Sequence, residues 1–205
     1  MTLLALLRHG NTQWSREGRI QGRTNTALTA LADEELRSRA LPEECRGFRN
    51  MSSPLARCAQ TAAALALENV EFDDRLVEMH WGRWEGRRLA DLRSELGEGM
   101  RENEDRGWDF RPPGGESPRD VMIRVHELLA EIAAEGQPTM AIAHRGVIRV
   151  IFAEASGCDM LGPPPVKLDW NAVHLFALDP NGVPCLARMN VPLSKRVLPT
   201  ASVGY

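Results

Sequence analysis

Short apolar runs recur along the chain and are separated by longer segments with a helical period. Residues 3–7 are all apolar, which is typical of a strand that is covered on both faces of a sheet. Four further segments flanked by turn residues are predicted strands: 48–52, 139–143, 173–178 and 184–189. The sequence Asp-Pro-Asn-Gly predicts a turn between the last two.

Residues that favour helix starts lie between the predicted strands. Thr29 is a candidate N-cap for a helix over about 30–40. Ser53, followed by Pro54, is a candidate N-cap for an alanine-rich helix through about Leu67. Two helices are therefore predicted in the first third of the chain.

The second half of the chain repeats this arrangement. Ser117 and Asp120 form a capping pattern before a helix whose apolar residues share one face: Val121, Val125, Leu128, Leu129 and Ile132. A last helix is predicted over 147–155. Because strands and helices alternate, we predict an α/β fold, a three-layer α/β/α sandwich with a mostly parallel central sheet.

Length and composition indicate a single main domain. The chain has 205 residues, of which 43% are hydrophobic and 26% are charged, enough to bury one substantial core. We assign residues 1–193 to this domain. A lid-like insertion is predicted at about 86–117, because its later part, 107–115, is rich in glycine and proline. The C-terminal tail, 194–205, is predicted to be mobile.

Charge and cysteine content narrow the classes of function. The net charge of −3 provides no basic field for nucleic acid, so a bound anion must be held by a local cluster. The first apolar run is too short to span a membrane, and no basic secretion leader precedes it. The four scattered cysteines have neither a zinc nor a disulfide spacing. We predict a cytoplasmic protein that needs no metal or other cofactor, and a homodimer is compatible with the sequence.

Arginine and histidine side chains follow two of the predicted strands directly. Arg8 and His9 follow the first apolar run, and His144 follows 139–143. The carboxyl ends of parallel strands meet at one edge of a sheet, where functional groups gather. Arg57, near the start of the helix after the second strand, is predicted to point to the same crevice.

Such a cluster suits the binding and transfer of phosphate. The planar fork of an arginine meets phosphate oxygens two at a time. Opposite unit charges about 4 Å apart attract by about 4 kcal/mol at an effective dielectric constant of about 20. A neutral imidazole beside the bound group can attack phosphorus and divide hydrolysis into two displacements through a covalent intermediate. His9 is the candidate nucleophile.

Six motifs occur in a fixed order along the chain. They are R-H-G-N-T at 8–12, Q-G at 21–22, S-P-L-x-R-x-x-Q-T-A at 53–62, E-x-x-W-G-x-W-E-G at 78–86, P-G-G-E-S at 113–117 and H-x-G-V-I-R at 144–149. Each motif alone is weak evidence, but the ordered set covers most of the chain. In this set the chain resembles the histidine phosphatases, the superfamily that includes cofactor-dependent phosphoglycerate mutases.

The resemblance implies a role for each motif. It implies that His9 is the phosphohistidine nucleophile and that Glu78 protonates the leaving group. It also implies that the phosphoryl oxygens are bound by Arg8, Arg57, His144 and Asn11. The substrate pocket is then expected to include Gln21, Gly22 and Glu116. No metal is expected, because the arginines supply the charge that a metal ion provides in other phosphoryl-transfer enzymes.

Three carboxylates of the motifs are candidates for the general acid: Glu78, Glu85 and Glu116. We favour Glu78, and we expect Glu85 to be a structural ion-pair partner and Glu116 a lid or substrate contact. A carboxyl group can protonate a leaving alkoxide if burial or nearby negative charge raises its pKa.

The resemblance leaves the reaction itself open. Mutases of the superfamily typically carry a longer insertion after the acid motif, whereas a short segment separates Gly86 from Pro113 here. We therefore favour a histidine acid-type phosphatase, resembling the broad-specificity and α-ribazole-phosphate phosphatase branches, that hydrolyses a small phosphorylated metabolite. The alternatives are phosphoryl transfer of the phosphoglycerate mutase type and a non-catalytic phosphometabolite-binding protein.

The chain departs from the superfamily pattern at three positions. Ser15 stands where many relatives have asparagine, Asn25 where many have aspartate, and Arg145 where glycine usually follows the second histidine. Arg145 either adds a cation at the pocket mouth or projects into solvent. These changes bear on the choice of substrate.

Overall fold

A computed structural model of the protein describes residues 1–162 and 164–196. The strands in these residues are β1 (Thr2–Arg8), β2 (Arg39–Ala40), β3 (Arg49–Ser52), β4 (Glu71–Phe72), β5 (Thr139–Ala143), β6 (Ala172–Leu178), β7 (Pro184–Pro192) and β8 (Ser194–Lys195). Six of them form the main sheet in the order β4-β3-β5-β1-β6-β7, and β2 pairs with β8. Neighbouring strands from β4 to β1 are parallel, whereas β6 and β7 are added in antiparallel pairings. We call the edge at which β1, β3 and β5 end the carboxyl edge.

Helices cover both faces of this sheet. Within the described residues they are α1 (Gln13–Arg16), α2 (Ala30–Arg37), α3 (Ala56–Ala64), α4 (Leu89–Leu96), α5 (Glu98–Glu104), α6 (Pro118–Glu135) and α7 (Arg145–Ser156). Leu4 and Leu6 of β1 share a core with α6 and α7, whereas Ala5 and Leu7 share one with α2 and α3. This division follows from the alternation of side chains along a strand. The predicted three-layer sandwich with a mostly parallel sheet is confirmed.

Two of the predicted helix caps are confirmed. The Thr29 hydroxyl accepts a hydrogen bond from the backbone of Ala32 at 3.2 Å, and Ser117 and Asp120 form a reciprocal capping box at the start of α6. However, α2 ends at Arg37 instead of about residue 40. It ends early because the next residues form β2 and pair with β8.

The predicted boundaries of α3 are wrong at both ends. Its N-cap is Leu55, not Ser53, because the Ser53 hydroxyl lies 2.8 Å from His144 Nε2, where it takes part in a tertiary hydrogen bond. The helix ends at Ala64, because Ala66 adopts a left-handed backbone conformation with φ of +52°. A helix cannot continue through that conformation.

The predicted insertion and tail have more local structure than expected. Helices α4 and α5 lie inside the predicted insertion and pack around a small separate core of Trp84, Leu92 and Met100. The first residues of the predicted tail are ordered, since they form β8. The rest of that prediction, 197–205, lies outside the described residues.

Candidate active site

The imidazole rings of His9 and His144 lie together at the carboxyl edge. Their centroids are 5.1 Å apart. The parallel register of β1 and β5 pairs Arg8 with Ala143, so the next residue of each strand emerges at the same level. Both histidines are buried. The two motifs that the sequence separates therefore form one site.

The ring of His9 is oriented so that one nitrogen is available for chemistry. Its Nδ1 lies 2.7 Å from the carbonyl oxygen of Gly10, and because a carbonyl only accepts, we assign the proton to Nδ1. Nε2 then carries the lone pair. Burial, followed by the charges of Arg8 and Arg57, holds the pKa of His9 well below its usual value. The ring is consequently neutral at neutral pH, as a nucleophile must be.

Arg57 lies in the first turn of α3 and is completely buried. Its Nε donates to His144 Nδ1 at 3.3 Å, and its two terminal nitrogens donate to the carbonyl oxygens of Thr24 at 2.9 Å and Gly22 at 2.7 Å. These three bonds fix the plane of the guanidinium. Arg57 is thus held rigidly beside the paired histidines. Its side chain is already ordered in the folded protein, so binding a ligand costs little further conformational entropy.

His144 is held from two sides. Since its Nδ1 accepts from Arg57, its Nε2 carries the proton and donates to the Ser53 hydroxyl at 2.8 Å. Burial, followed by the charges of His9 and Arg57, holds its pKa well below the usual value. Neither Ser53 nor the buried Cys58, whose Sγ lies 3.4 Å from Nε2, was predicted from the sequence to belong to the site. Both residues lie in the motif around Arg57, and this position in the sequence could have indicated that they belong to the site.

Arg8 has an unsatisfied donor at the end of β1. Its Nε is buried and has no hydrogen-bond partner among the described residues. A buried donor without a partner costs about 1–3 kcal/mol. An anion bound beside His9 would supply the missing acceptor.

Glu78 lies next to the strand end that carries His144. Its carboxylate accepts hydrogen bonds from the backbone of Met79 at 2.9 Å and from the backbone of Gly146 at 3.1 Å. Burial nevertheless raises the pKa of Glu78 above its usual value. A Cβ at position 146 would lie 2.3 Å from Glu78 Oε1, so this approach requires glycine. The carboxyl group has the properties of a general acid.

Comparison with known proteins agrees with this geometry. The model of the histidine phosphatase superfamily (branch 1) matches residues 4–191. The chain belongs to this superfamily. Superfamily members are phosphatases or mutases. The probable phosphoglycerate mutase GpmB of Salmonella paratyphi C is 35% identical over 153 residues, which cover 70% of each chain.

Solved structures of this superfamily have the same fold. The mycobacterial glucosyl-3-phosphoglycerate phosphatase, in complex with inorganic phosphate, is 25% identical with a TM-score of 0.77, covering 94% of this chain and 98% of that chain. Bacillus stearothermophilus YhfR is also 25% identical with a TM-score of 0.77, covering 95% of this chain and 98% of that chain.

The other two carboxylates of the superfamily motifs support loops. Glu85 accepts hydrogen bonds from the backbone of Arg23, Thr24 and Trp81. Its main partners are thus backbone N–H groups and not the cation of the predicted ion pair, and a purely structural role stays a prediction. Glu116 accepts from the backbone of His80 and pairs with Arg23 at 2.8 Å and with Arg124 at 3.2 Å. A contact between Glu116 and substrate stays a prediction.

The remaining predicted residues lie on the loops around Arg57 and His9. Gln21 Oε1 accepts from the hydroxyls of Thr12 and Thr26 at 2.7 and 2.6 Å, which stabilises the loop that leads to Gly22. Asn11 is exposed, and its Oδ1 lies 3.4 Å from the Ser15 hydroxyl. Asn25 Oδ1 accepts from the backbone of Ala56 at 2.8 Å, at the start of α3. Their roles toward a ligand stay predictions.

Two further features concern residues 1–162 and 164–196. These residues contain no cluster of three or more histidine, cysteine, aspartate or glutamate side chains placed to hold a metal ion. They also contain no helix that is long and apolar enough to cross a membrane.

Proposed function

We propose that this protein is a phosphomonoesterase that hydrolyses a small phosphorylated metabolite through a phosphohistidine at His9. One observation carries the proposal: the free Nε2 of His9 lies in a buried cluster with His144, Arg8 and Arg57, and the protonatable Glu78 borders it. This set contains a nucleophile, an anion site and an acid, which are the three groups that phosphoryl transfer from an ester requires.

In the first step, the phosphate of the ester binds between the arginines. Arg57 is already oriented by its three hydrogen bonds, and Arg8 gains the acceptor that its Nε lacks. His9 Nε2 then attacks phosphorus, and the bond to the ester oxygen breaks. The proton of Glu78 moves to that oxygen, so an alcohol leaves and the phosphoryl group stays on Nε2.

In the second step, water removes the phosphoryl group. The carboxylate of Glu78 now accepts a proton from water, whose oxygen bonds to phosphorus while the bond to Nε2 breaks. Inorganic phosphate is released, and His9 and Glu78 return to their starting protonation states. His144, neutral and bonded to Ser53, keeps the second side of the phosphate site in place.

We favour transfer to water over transfer to a second hydroxyl. The segment at about 86–117 is short and contains α4 and α5, which pack on their own small core. As a lid-like insertion it would not seal the phosphoenzyme from water as a longer insertion would. The name of the solved glucosyl-3-phosphoglycerate phosphatase supports the same choice, while the names of the curated relatives support a mutase.

The test measures phosphate release and the covalent intermediate in the same protein. We expect turnover of p-nitrophenyl phosphate, with loss of at least about 10³-fold in kcat/KM for His9→Ala. His126→Gln, an exposed change on α6, serves as the control. Quenching during turnover is expected to trap acid-labile phosphate on the parent protein and on His126→Gln, but not on His9→Ala. Stable binding of phosphate without turnover would instead indicate a binding protein.

A second assay separates phosphatase from mutase. With 3-phosphoglycerate as substrate, we expect inorganic phosphate to accumulate without formation of 2-phosphoglycerate. Interconversion of the two phosphoglycerates faster than phosphate release would overturn the assignment as a phosphatase. It would leave the role of His9 intact, because both reactions pass through the same intermediate.

A further inference from the structure

Arg145 is held in place by an aromatic ring. It is the first residue of α7 and directly follows His144. Its guanidinium carbon lies 4.9 Å from the ring centroid of Trp170, within the range of a cation–π contact. Within the part of the chain that the structure describes, its side chain has no salt bridge to a carboxylate. The ring therefore orients a cation whose charge is not neutralised.

Trp170 brings this cation to the active-site edge of the sheet. Strand β6 is antiparallel to β1, with His174 paired to Leu6. Residues before the start of β6 consequently lie beyond the end of β1, where Arg8 and His9 are. The ring of Trp170 also contacts the ring of the buried His174, with centroids 6.4 Å apart. Arg145 is exposed, and the ring of Trp170 holds its guanidinium at the mouth of the crevice.

Arg145 belongs to a row of three cations, with Arg149 and Arg8 as the other two. Arg149 follows it by one turn of α7 and donates to the carbonyl oxygen of Gly162 at 3.2 Å. The charge of Arg145 contributes to lowering the pKa of Arg149, after burial, and likewise lowers the pKa of Arg8, so these side chains repel one another. Like charges four residues apart also destabilise a helix. A second anion bound between Arg145 and Arg149 would relieve this repulsion.

We propose that Arg145 and Arg149 form a second anion subsite, which selects phosphomonoesters that carry another anionic group near the ester. The inference rests on the proposed function, because the reacting phosphate occupies the adjacent site of Arg8 and Arg57. The second group is a carboxylate or a second phosphate, since a guanidinium fork binds either through paired oxygens. An uncharged ester of the same size leaves the row of cations unpaired and is a poorer substrate.

The experiment compares esters that differ in one group. The carboxylate pair is 3-phosphoglycerate and glycerol 3-phosphate, and the phosphate pair is 1,3-propanediol bisphosphate and its monophosphate. For each pair, the kcat/KM of the ester with the second anionic group is divided by the kcat/KM of the ester without it. In the pair with the larger ratio in the parent protein, we expect this ratio to fall about tenfold or more in Arg145→Gln. Arg145→Lys keeps the charge but not the planar fork. For this variant we expect a ratio between that of the parent protein and that of Arg145→Gln. The larger ratio in the parent protein identifies the second group.

Arg46→Gln is the matched control. Arg46 is largely exposed and pairs with Glu43. It precedes β3 and so lies toward the opposite edge of the sheet. We expect this variant to keep both ratios of the parent protein. Ratios that are equal in the parent protein and in Arg145→Gln overturn the subsite, whereas a fall confined to Arg145 supports it.

A binding measurement separates failure of the subsite from failure of the proposed function. Calorimetry measures the affinity for both members of the carboxylate pair and of the phosphate pair. The two proteins compared are His9→Ala and the double variant His9→Ala with Arg145→Gln. Tighter binding of the charged member that is lost in the double variant supports the subsite even if the parent protein hydrolyses nothing. In that case only the phosphatase proposal fails. Equal binding of both members of each pair overturns the subsite.

Discussion

The backbone N–H of Gly146 donates to both carboxylate oxygens of Glu78, at 3.1 and 3.2 Å. This contact ties the candidate acid to the residues that follow β5, and therefore to His144. It leaves the carboxyl group buried, and burial is what raises its pKa. Position within the fold thus raises the pKa of Glu78, the direction that favours proton donation to a leaving alcohol.

The first prediction concerns proton donation by Glu78. For Glu78→Gln we expect kcat/KM toward an alkyl phosphate, which reports formation of the phosphohistidine and not its later hydrolysis, to fall about 10²–10⁴-fold, because the leaving alkoxide loses its proton source. The fall is expected to be much smaller for p-nitrophenyl phosphate, since p-nitrophenolate leaves without a proton. Glu127→Gln, an exposed change on α6, is the control. Equal losses on both substrates would show that Glu78 is not the acid for the leaving group.

The second prediction concerns stability and pH. Burial lowers the pKa of His9, His144 and His174 below the usual 6.5. Below pH 6.5 the unfolded chain therefore binds protons that the folded chain does not, so stability falls as the pH falls. Each such group contributes a slope of up to about 1.4 kcal/mol per pH unit. Glu78, with its raised pKa, gives a smaller opposing slope from pH 4.5 upward.

Urea unfolding at pH 7.5 and 5.5 measures this slope. The free energy of unfolding is expected to be lower at pH 5.5. In His174→Phe the slope is expected to decrease, because this change removes a buried ring whose Nε2 has no partner in the described residues. His126→Gln, which changes an exposed histidine, is expected to keep the parent slope. Greater stability at pH 5.5 than at 7.5 would contradict the prediction.

The third prediction concerns Ser53 as a positioning residue. Ser53→Ala removes the acceptor for His144 Nε2–H. A buried donor left without a partner is expected to destabilise the protein by about 1–3 kcal/mol. We also expect a change in the ¹⁵N shifts of His144 and an altered KM. Ser156→Ala, which removes a hydroxyl at the end of α7, should leave those shifts unchanged. If Ser53→Ala alters stability alone, its role is structural only.

The fourth prediction concerns the loop that orients Arg57. Gly22 has φ of +51°, and a Cβ there would lie 2.0 Å from Glu85 Oε1. Gly18 has φ of +70°, but a Cβ added there would meet no atom within 4 Å, so Gly18→Ala tests backbone strain alone. We expect about 1–2 kcal/mol of destabilisation for Gly18→Ala and more for Gly22→Ala. Weaker inhibition by inorganic phosphate is expected only for Gly22→Ala, and equal inhibition in both variants would contradict this.

The sequence predicted most elements of the fold because their signals are local. An apolar run such as 3–7 and a capping residue such as Thr29 act through neighbours along the chain. Where a side chain has a distant partner instead, the prediction was wrong. Ser53 resembles an N-cap, yet its hydroxyl takes part in a hydrogen bond with His144, and α2 ends early because β2 pairs with a segment from the other end of the chain.

By itself, the sequence determined the chemistry that is available: two histidines and two arginines placed at strand and helix ends, with a carboxylate in a following motif. Only the tertiary structure decided which ring nitrogen of His9 is free and that burial raises the pKa of Glu78. It also decided that Arg145 lies over the ring of Trp170. Tautomer, pKa and orientation depend on distances and solvent exclusion between segments that are far apart in the chain. Those quantities exist only once the sheet has brought the segments together.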